Sequence, residues 1–173
     1  FAKGALAAKG LQYFPTHIPQ VIDYAKAIPT AIKRNVRVMT GAPLPFIGVR
    51  GIRYMGKQLL TLECNATKRL QYLPLYLGHI VRMQEEIGTG GAGFRFIYAA
   101  FLREASRLLN SEPLKEAAAA MTEAGDHWRV FALRASKMCK SREAMDVPLL
   151  NDLLNGCADR EAVAWTMLAK IRR

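Results

Sequence analysis

Glu85-Glu86-Ile87-Gly88-Thr89-Gly90-Gly91-Ala92-Gly93-Phe94-Arg95-Phe96-Ile97-Tyr98-Ala99-Ala100-Phe101-Leu102-Arg103-Glu104-Ala105 reads as a glycine hinge running into an amphipathic helix. Four of the six positions from 88 to 93 are glycine, so the backbone can reach positive φ and approach another group closely. Behind them Phe94, Ile97, Phe101, Ala105 and Leu108 recur at three- and four-residue spacing, the period of one helix face. This helix is predicted to open at Thr89 or Gly91 and to run to about Leu109. A helix that begins in such a turn leaves free N–H groups in its first turn, where an anion or a carboxylate can dock.

The same period continues outward in both directions. Upstream, Pro19 suits a first helical turn, and Val21, Tyr24, Ile28, Ile32, Val36 and Met39 follow at helical spacing. Pro29 should kink or split that helix, and the run from Thr40 to Pro45 should end it. A second helix is expected from Gly48 to Leu62, with Val49, Ile52, Met55, Gly56, Leu59 and Leu60 inward and Arg50, Arg53 and Lys57 outward. A third helical stretch spans about Asn65 to Ile87, interrupted near Pro74 and closed by Gly88. Downstream, Ser111 is a good N-cap for a long helix to about Lys140, striped by Leu114, Ala117, Ala118, Met121, Gly125, Trp128, Phe131 and Ala135. Asp146 and Pro148 should start a short helix ending at Asn155-Gly156, and a last helix should run from Asp159 with Ala162, Val163, Met167 and Ile171 inward. No strand alternation or hairpin turn competes. The expectation is an all-α domain, an irregular bundle of six to eight helices over residues 18–173. Residues 1–17 read as a lead-in segment from a preceding domain, and the start at Phe1 reads as a piece of something longer.

Composition narrows the function classes. With 51% hydrophobic and 23% charged residues among 173, the chain has a globular profile. It shows neither an apolar run long enough for a membrane helix nor a signal peptide, so a cytoplasmic location is expected. Cys64, Cys139 and Cys157 are widely separated, form no CxxC or Cys/His cluster, and argue for reduced thiols and against a metal site or cofactor. The net charge of +11 is lopsided: residues 1–82 carry 12 Lys/Arg against 2 Asp/Glu, whereas residues 83–173 carry 13 against 12. A basic half of this kind attracts an anionic partner, such as nucleic acid, an acidic carrier protein, phosphates or an acidic neighbouring domain.

The candidate chemistry is sparse. The glycine hinge has no preceding strand and no following Lys-Ser/Thr, so it fits neither a dinucleotide fingerprint nor a P-loop. It remains either a tight interhelix turn or a turn that lines a pocket or partner surface. Arg95 is placed to bind an anion or to pair with Glu85 or Glu86. Those two glutamates point about 100° apart on a helix, which argues for solvated helix-end residues rather than an acid/base couple. The helix dipole there asks for a cationic partner. His17, His79 and His127 are scattered, with His79 expected to be packed. Cys64 precedes a helix, which can lower a thiol pKa. No nucleophile–base–orienter set is legible, so no catalytic residue is assigned. Lys33, Arg34 and Arg37, with Arg50, Arg53 and Lys57, form basic faces without any nucleic-acid-binding motif.

The run Glu86-Ile87-Gly88-Thr89-Gly90-Gly91-Ala92-Gly93-Phe94-Arg95-Phe96-Ile97-Tyr98-Ala99-Ala100-Phe101-Leu102-Arg103-Glu104-Ala105 resembles the E-x-GTGG-x-x-FR-x-x-Y-x-x-FL-x-EA signature of the C-terminal domain of butirosin biosynthesis protein H-like proteins. Gly48-Val49-Arg50-Gly51-Ile52-Arg53 upstream, and Trp128 and Asp159-Arg160-Glu161-Ala162 downstream, add weaker matches. The resemblance implies a two-domain cysteine acyltransferase of antibiotic or secondary-metabolite biosynthesis. Its papain-like N-terminal domain supplies a Cys/His site and moves an acyl group from a carrier-protein thioester to an amine. This chain would be the helical C-terminal part that lines the substrate cleft. Glu86, Gly88, Thr89, Gly90, Gly91 and Arg95 would contact substrate or partner, and the basic half would meet an acidic acyl carrier protein. Hydrolysis by the same chemistry is an open alternative, as is a freestanding helical module binding an acidic protein or nucleic acid.

Overall fold

The computed structural model describes residues 22–65, 67 and 71–171. Among them lie six α-helices and no strand: α1 (Tyr24–Gly41), α2 (Gly48–Glu63), α3 (Leu73–Glu85), α4 (Arg95–Leu109), α5 (Glu112–Cys139) and α6 (Val147–Lys170). A 3-10 turn, Ala92–Phe94, precedes α4. The all-α expectation holds. The lead-in segment 1–17, the helix start at Pro19, and positions 66 and 68–70 of the third helical stretch lie outside the described residues. The interruption expected near Pro74 falls at Tyr72, and Pro74 takes the second position of α3, where its missing N–H is harmless. No described helix is long and apolar enough to cross a membrane.

Helices α5 and α6 are the spine. The stripe read from the sequence of α5 is buried from Leu114 to Ala135, and Met138 extends it. The core has two parts, and the spine passes through both. One gathers Ile52 and Leu59 of α2, Leu73, Leu77 and Ile80 of α3, Trp128 and Phe131 of α5, and Leu150, Leu154 and Cys157 of α6. The other gathers Ile28 and Ile32 of α1, Ala99 and Leu102 of α4, Leu114 and Met121 of α5, and Trp165 and Leu168 of α6. Each half of α5 therefore serves a different core, as does each half of α6.

Several local expectations are overturned by packing. Pro29 does not split α1, which is continuous from Tyr24 to Gly41. The proline sits in the second turn and removes one backbone hydrogen bond, while Asp23 caps the start through Lys26 N–H at 3.1 Å. The two short C-terminal helices are one, since α6 runs through Asn155-Gly156 without a break. A helical glycine there costs about 1 kcal/mol, a small penalty against the burial of Leu154, Cys157 and Ala158 around it. The inward face of the last segment is also rotated: Glu161, Ala164, Trp165 and Leu168 are buried, and Val163 is exposed. His79 is not packed but exposed, lying between the inward positions Leu77 and Ile80.

Candidate functional site

The glycine hinge is a closed elbow between α3 and α4. Gly90, Gly91, Ala92, Gly93 and Phe94 all have positive φ, from 50° to 84°. Gly88 has φ 62° and stands just before them. This run delays the helix, which opens at Arg95 rather than at Thr89 or Gly91, because no right-handed turn can form through it. Gly91, at φ 84° and ψ 157°, occupies a region essentially restricted to glycine. A Cβ at Gly93 would overlap the side-chain oxygen of Gln84 and crowd the Arg95 terminal nitrogen that clamps the Gly93 carbonyl, so both side-chain ends would have to move.

Hydrogen bonds from side chains and backbone hold the elbow shut. Buried Thr89 donates its hydroxyl to the Gln84 carbonyl at 2.7 Å. The Phe94 N–H donates to the Thr89 carbonyl at 3.2 Å. The Ala92 N–H donates to Glu85 Oε1 at 3.1 Å, and Arg95 donates to the Gly93 carbonyl at 2.7 Å. The sequence points to a carboxylate on the first-turn N–H groups of the helix; the carboxylate found is the chain's own Glu85, and it takes one N–H, that of Ala92, in the elbow ahead of α4. Arg129 lies 3.8 Å from that carboxylate, and Arg82 lies 3.9 Å from Glu86, so a cationic partner, expected for at least one of the helix-end glutamates, stands near each.

Arg95 is not paired with Glu85 or Glu86. Its guanidinium reaches across the bundle to Glu161, with Nε at 2.9 Å and the terminal nitrogen at 2.7 Å from Oε1. Glu161 also accepts the indole N–H of Trp128 at 2.7 Å and that of Trp165 at 3.2 Å. The Glu161 side chain is 1% exposed and that of Arg95 18%. Burial of a carboxylate is tolerated here because the Arg95 charge balances it and both oxygens accept N–H groups, Oε1 from Arg95 and Trp128 and Oε2 from Trp165. Trp128 belongs to one core and Trp165 to the other, so the carboxylate joins the two. The Arg95 guanidinium also stacks over the Trp128 ring, 4.8 Å from its centroid.

Beside this node lies a cavity of about 290 Å³ between α1, α4 and α6. Arg95 and Glu161 reach its wall, and Phe94, Tyr98 and Trp165 give it aromatic surface. Tyr98 packs against Trp165 with ring centroids 5.2 Å apart and the rings tilted by 37°. Burial pushes its phenol pKa up, partly offset by Asn35, whose amide lies 3.4 Å from the hydroxyl. Of the residues marked out by sequence, the cavity takes in Arg95; Glu86, Gly88, Thr89, Gly90 and Gly91 do not line it. The sequence reading missed Glu161 as a site residue. Its signal was a charged residue at the i+4 position of a buried Cys157 and four before a tryptophan, on a face otherwise apolar.

The cysteines are placed for other work. Cys157 is fully buried, and burial, then the Glu161 charge, push its thiol up to about 12. Cys139 is half-buried, and burial raises it too. Cys64 is the exposed C-cap of α2. Among the described residues no group of three His, Cys, Asp or Glu is arranged to hold a metal ion.

The family model described as Domain of unknown function (DUF4872) matches residues 1–168. No curated protein and no solved structure matches the chain.

Proposed function

The chain belongs to the DUF4872 family, and we propose that it is the helical part of a cysteine acyltransferase like the butirosin biosynthesis protein H-like proteins. In that role it lines the cleft where an acyl group passes from a carrier-protein thioester to an amine. The observation that carries this reading is the outward face of α4 beside the elbow. The buried side of α4 is Ala99, Leu102 and Ala105, whose small residues let α5 approach closely. The larger members of its apolar stripe turn away from that core, with Phe94 56% and Ile97 51% exposed and Leu108 exposed as well. Phe94 is held in the left-handed region at φ 71°, a conformation that costs a bulky residue about 1–2 kcal/mol. A strained aromatic facing outward suits contact with something beyond this chain's own core.

The basic half supports the same reading. Lys26, Lys33, Arg34 and Arg37 of α1 have no ion-pair partner among the described residues, which suits an acidic carrier protein. The reacting thiol would come from a papain-like domain of the same polypeptide, since Cys157 stays protonated at neutral pH.

The test uses the natural polypeptide that contains these residues, supplied with a carrier-bound acyl thioester and an amine acceptor. Ile97→Asp is expected to lower kcat/KM for acyl transfer about tenfold or more, with the helical circular dichroism unchanged. Carrier binding should weaken as salt rises. A wild-type polypeptide that leaves the thioester intact, or an Ile97→Asp variant with unaltered kinetics, overturns the proposal.

A further inference from the structure

We propose that the 290 Å³ cavity between α1, α4 and α6 is a binding site for a small aromatic monocarboxylate, with its ring against Trp165 and Tyr98 and its carboxylate on Arg34. This inference stands apart from acyl transfer and concerns the chain by itself.

The size of the cavity bounds the ligand. Functional small-molecule pockets run from about 300 to 1,000 Å³, so this one takes a single ring with a short tail and excludes a nucleotide. The walls then select a flat, polarisable ring. Phe94, Tyr98 and Trp165 present aromatic surface, and Met39 and Met121 present thioethers. Tyr98 and Trp165 already pack against each other, with their rings tilted by 37°, so the ring surface is preformed rather than assembled on binding.

The polar groups select the charge. Glu161 Oε1 accepts from Arg95 and Trp128, and Oε2 accepts from Trp165, so the charge of this carboxylate is already balanced by Arg95 and is not free to hold a cationic ligand. The Arg95 charge is cancelled by Glu161, and its remaining terminal nitrogen is committed to the Gly93 carbonyl. The cavity therefore has a neutral floor. Arg34 is the cation left over on its wall: it is exposed and has no ion-pair partner among the described residues. One guanidinium fork matches one carboxylate; a phosphate dianion would want more donors than this wall offers. Asn35, beside Arg34, has unused amide capacity after its long 3.4 Å contact with Tyr98.

The test is an NMR titration of the full chain with 3-phenylpropionate and, separately, with 3-phenylpropanamide. The two indole N–H signals are assigned with Trp165→Phe. The Trp165 signal is expected to shift saturably with the acid, and the amide should bind about fivefold more weakly. Arg34→Gln should bring the acid down to the amide's affinity. Val38→Trp, at an exposed position on the cavity wall, should abolish the shift for both. No saturable shift at millimolar acid, equal binding of acid and amide by the wild type, or a shift that survives Val38→Trp overturns the inference.

Discussion

The elbow at residues 88–94 and the Glu161 node are joined through one residue, Arg95, yet they are built on opposite principles. The elbow is backbone conformation: five successive positive φ values, with its hydrogen bonds made within the stretch from Gln84 to Arg95. The node is side-chain chemistry: three helices contribute to one buried carboxylate, over sequence separations of 66 and 33 residues. The elbow stores strain and is held by local bonds. The node stores desolvated charge and is held by tertiary structure. Their junction shows how strain is maintained here: Arg95 is anchored by Glu161 at one end and clamps the Gly93 carbonyl at the other.

Breaking the node should have the largest effect. Glu161→Ala leaves a largely buried guanidinium and two indole N–H groups without their acceptor, and is expected to destabilise the fold by about 3–5 kcal/mol. Urea unfolding followed by tryptophan fluorescence measures this. Asp159→Asn is the control, because the Arg53–Asp159 pair at 2.6 Å is exposed and should be worth under about 1 kcal/mol. Equal losses in the two variants would erase the distinction between node and surface.

Breaking the elbow should come second. Gly93→Val adds left-handed strain and drives a Cβ into Gln84, for an expected loss of about 2–3 kcal/mol. At Gly90 the added Cβ meets the flexible end of exposed Ile97 at 2.9 Å, so Gly90→Val should lose less. Gly88→Ala meets nothing within 4 Å and should lose only about 1 kcal/mol from its φ of 62°. A reversed order in thermal melts would show that the turn is set by something other than close approach.

Cys157 reports how dry the node is. Its folded thiol is raised to about 12 from an ordinary 9.0, so the unfolded chain releases this proton first as pH rises. The stability contribution is complete below pH 9 and declines between about 9 and 12, reaching a loss of about 1.4 kcal/mol at pH 10. Comparing wild type with Cys157→Ala in unfolding titrations from pH 8 to pH 10.5 should show the steeper decline in the wild type. Matching slopes would mean that water reaches the thiol.

Much of the elbow was legible beforehand. Four glycines in six positions demand unusual φ values whatever surrounds them, and the apolar period after them requires a helix. The start of that helix was misplaced because left-handed Ala92 and Phe94 extend the turn beyond its glycines, and propensity does not foresee strain in non-glycine residues. The partner of Arg95 was misassigned because nearby glutamates are the natural guess along a chain. Glu161 is distant in sequence and becomes a neighbour only when α5 and α6 pack.

The sequence alone therefore determined what short-range forces settle: the all-α class, the long stripe of α5, the breaks at Thr40–Pro45 and at the elbow, and the concentration of positive charge in the first half. Tertiary structure decided what depends on burial. It carried α6 through Gly156, rotated its inward face onto Glu161, turned Phe94 and Ile97 outward, and opened the cavity beside Arg34. Periodicity shows that a helix has an apolar side, whereas the price of burying a charge falls only when its partners arrive together from distant helices.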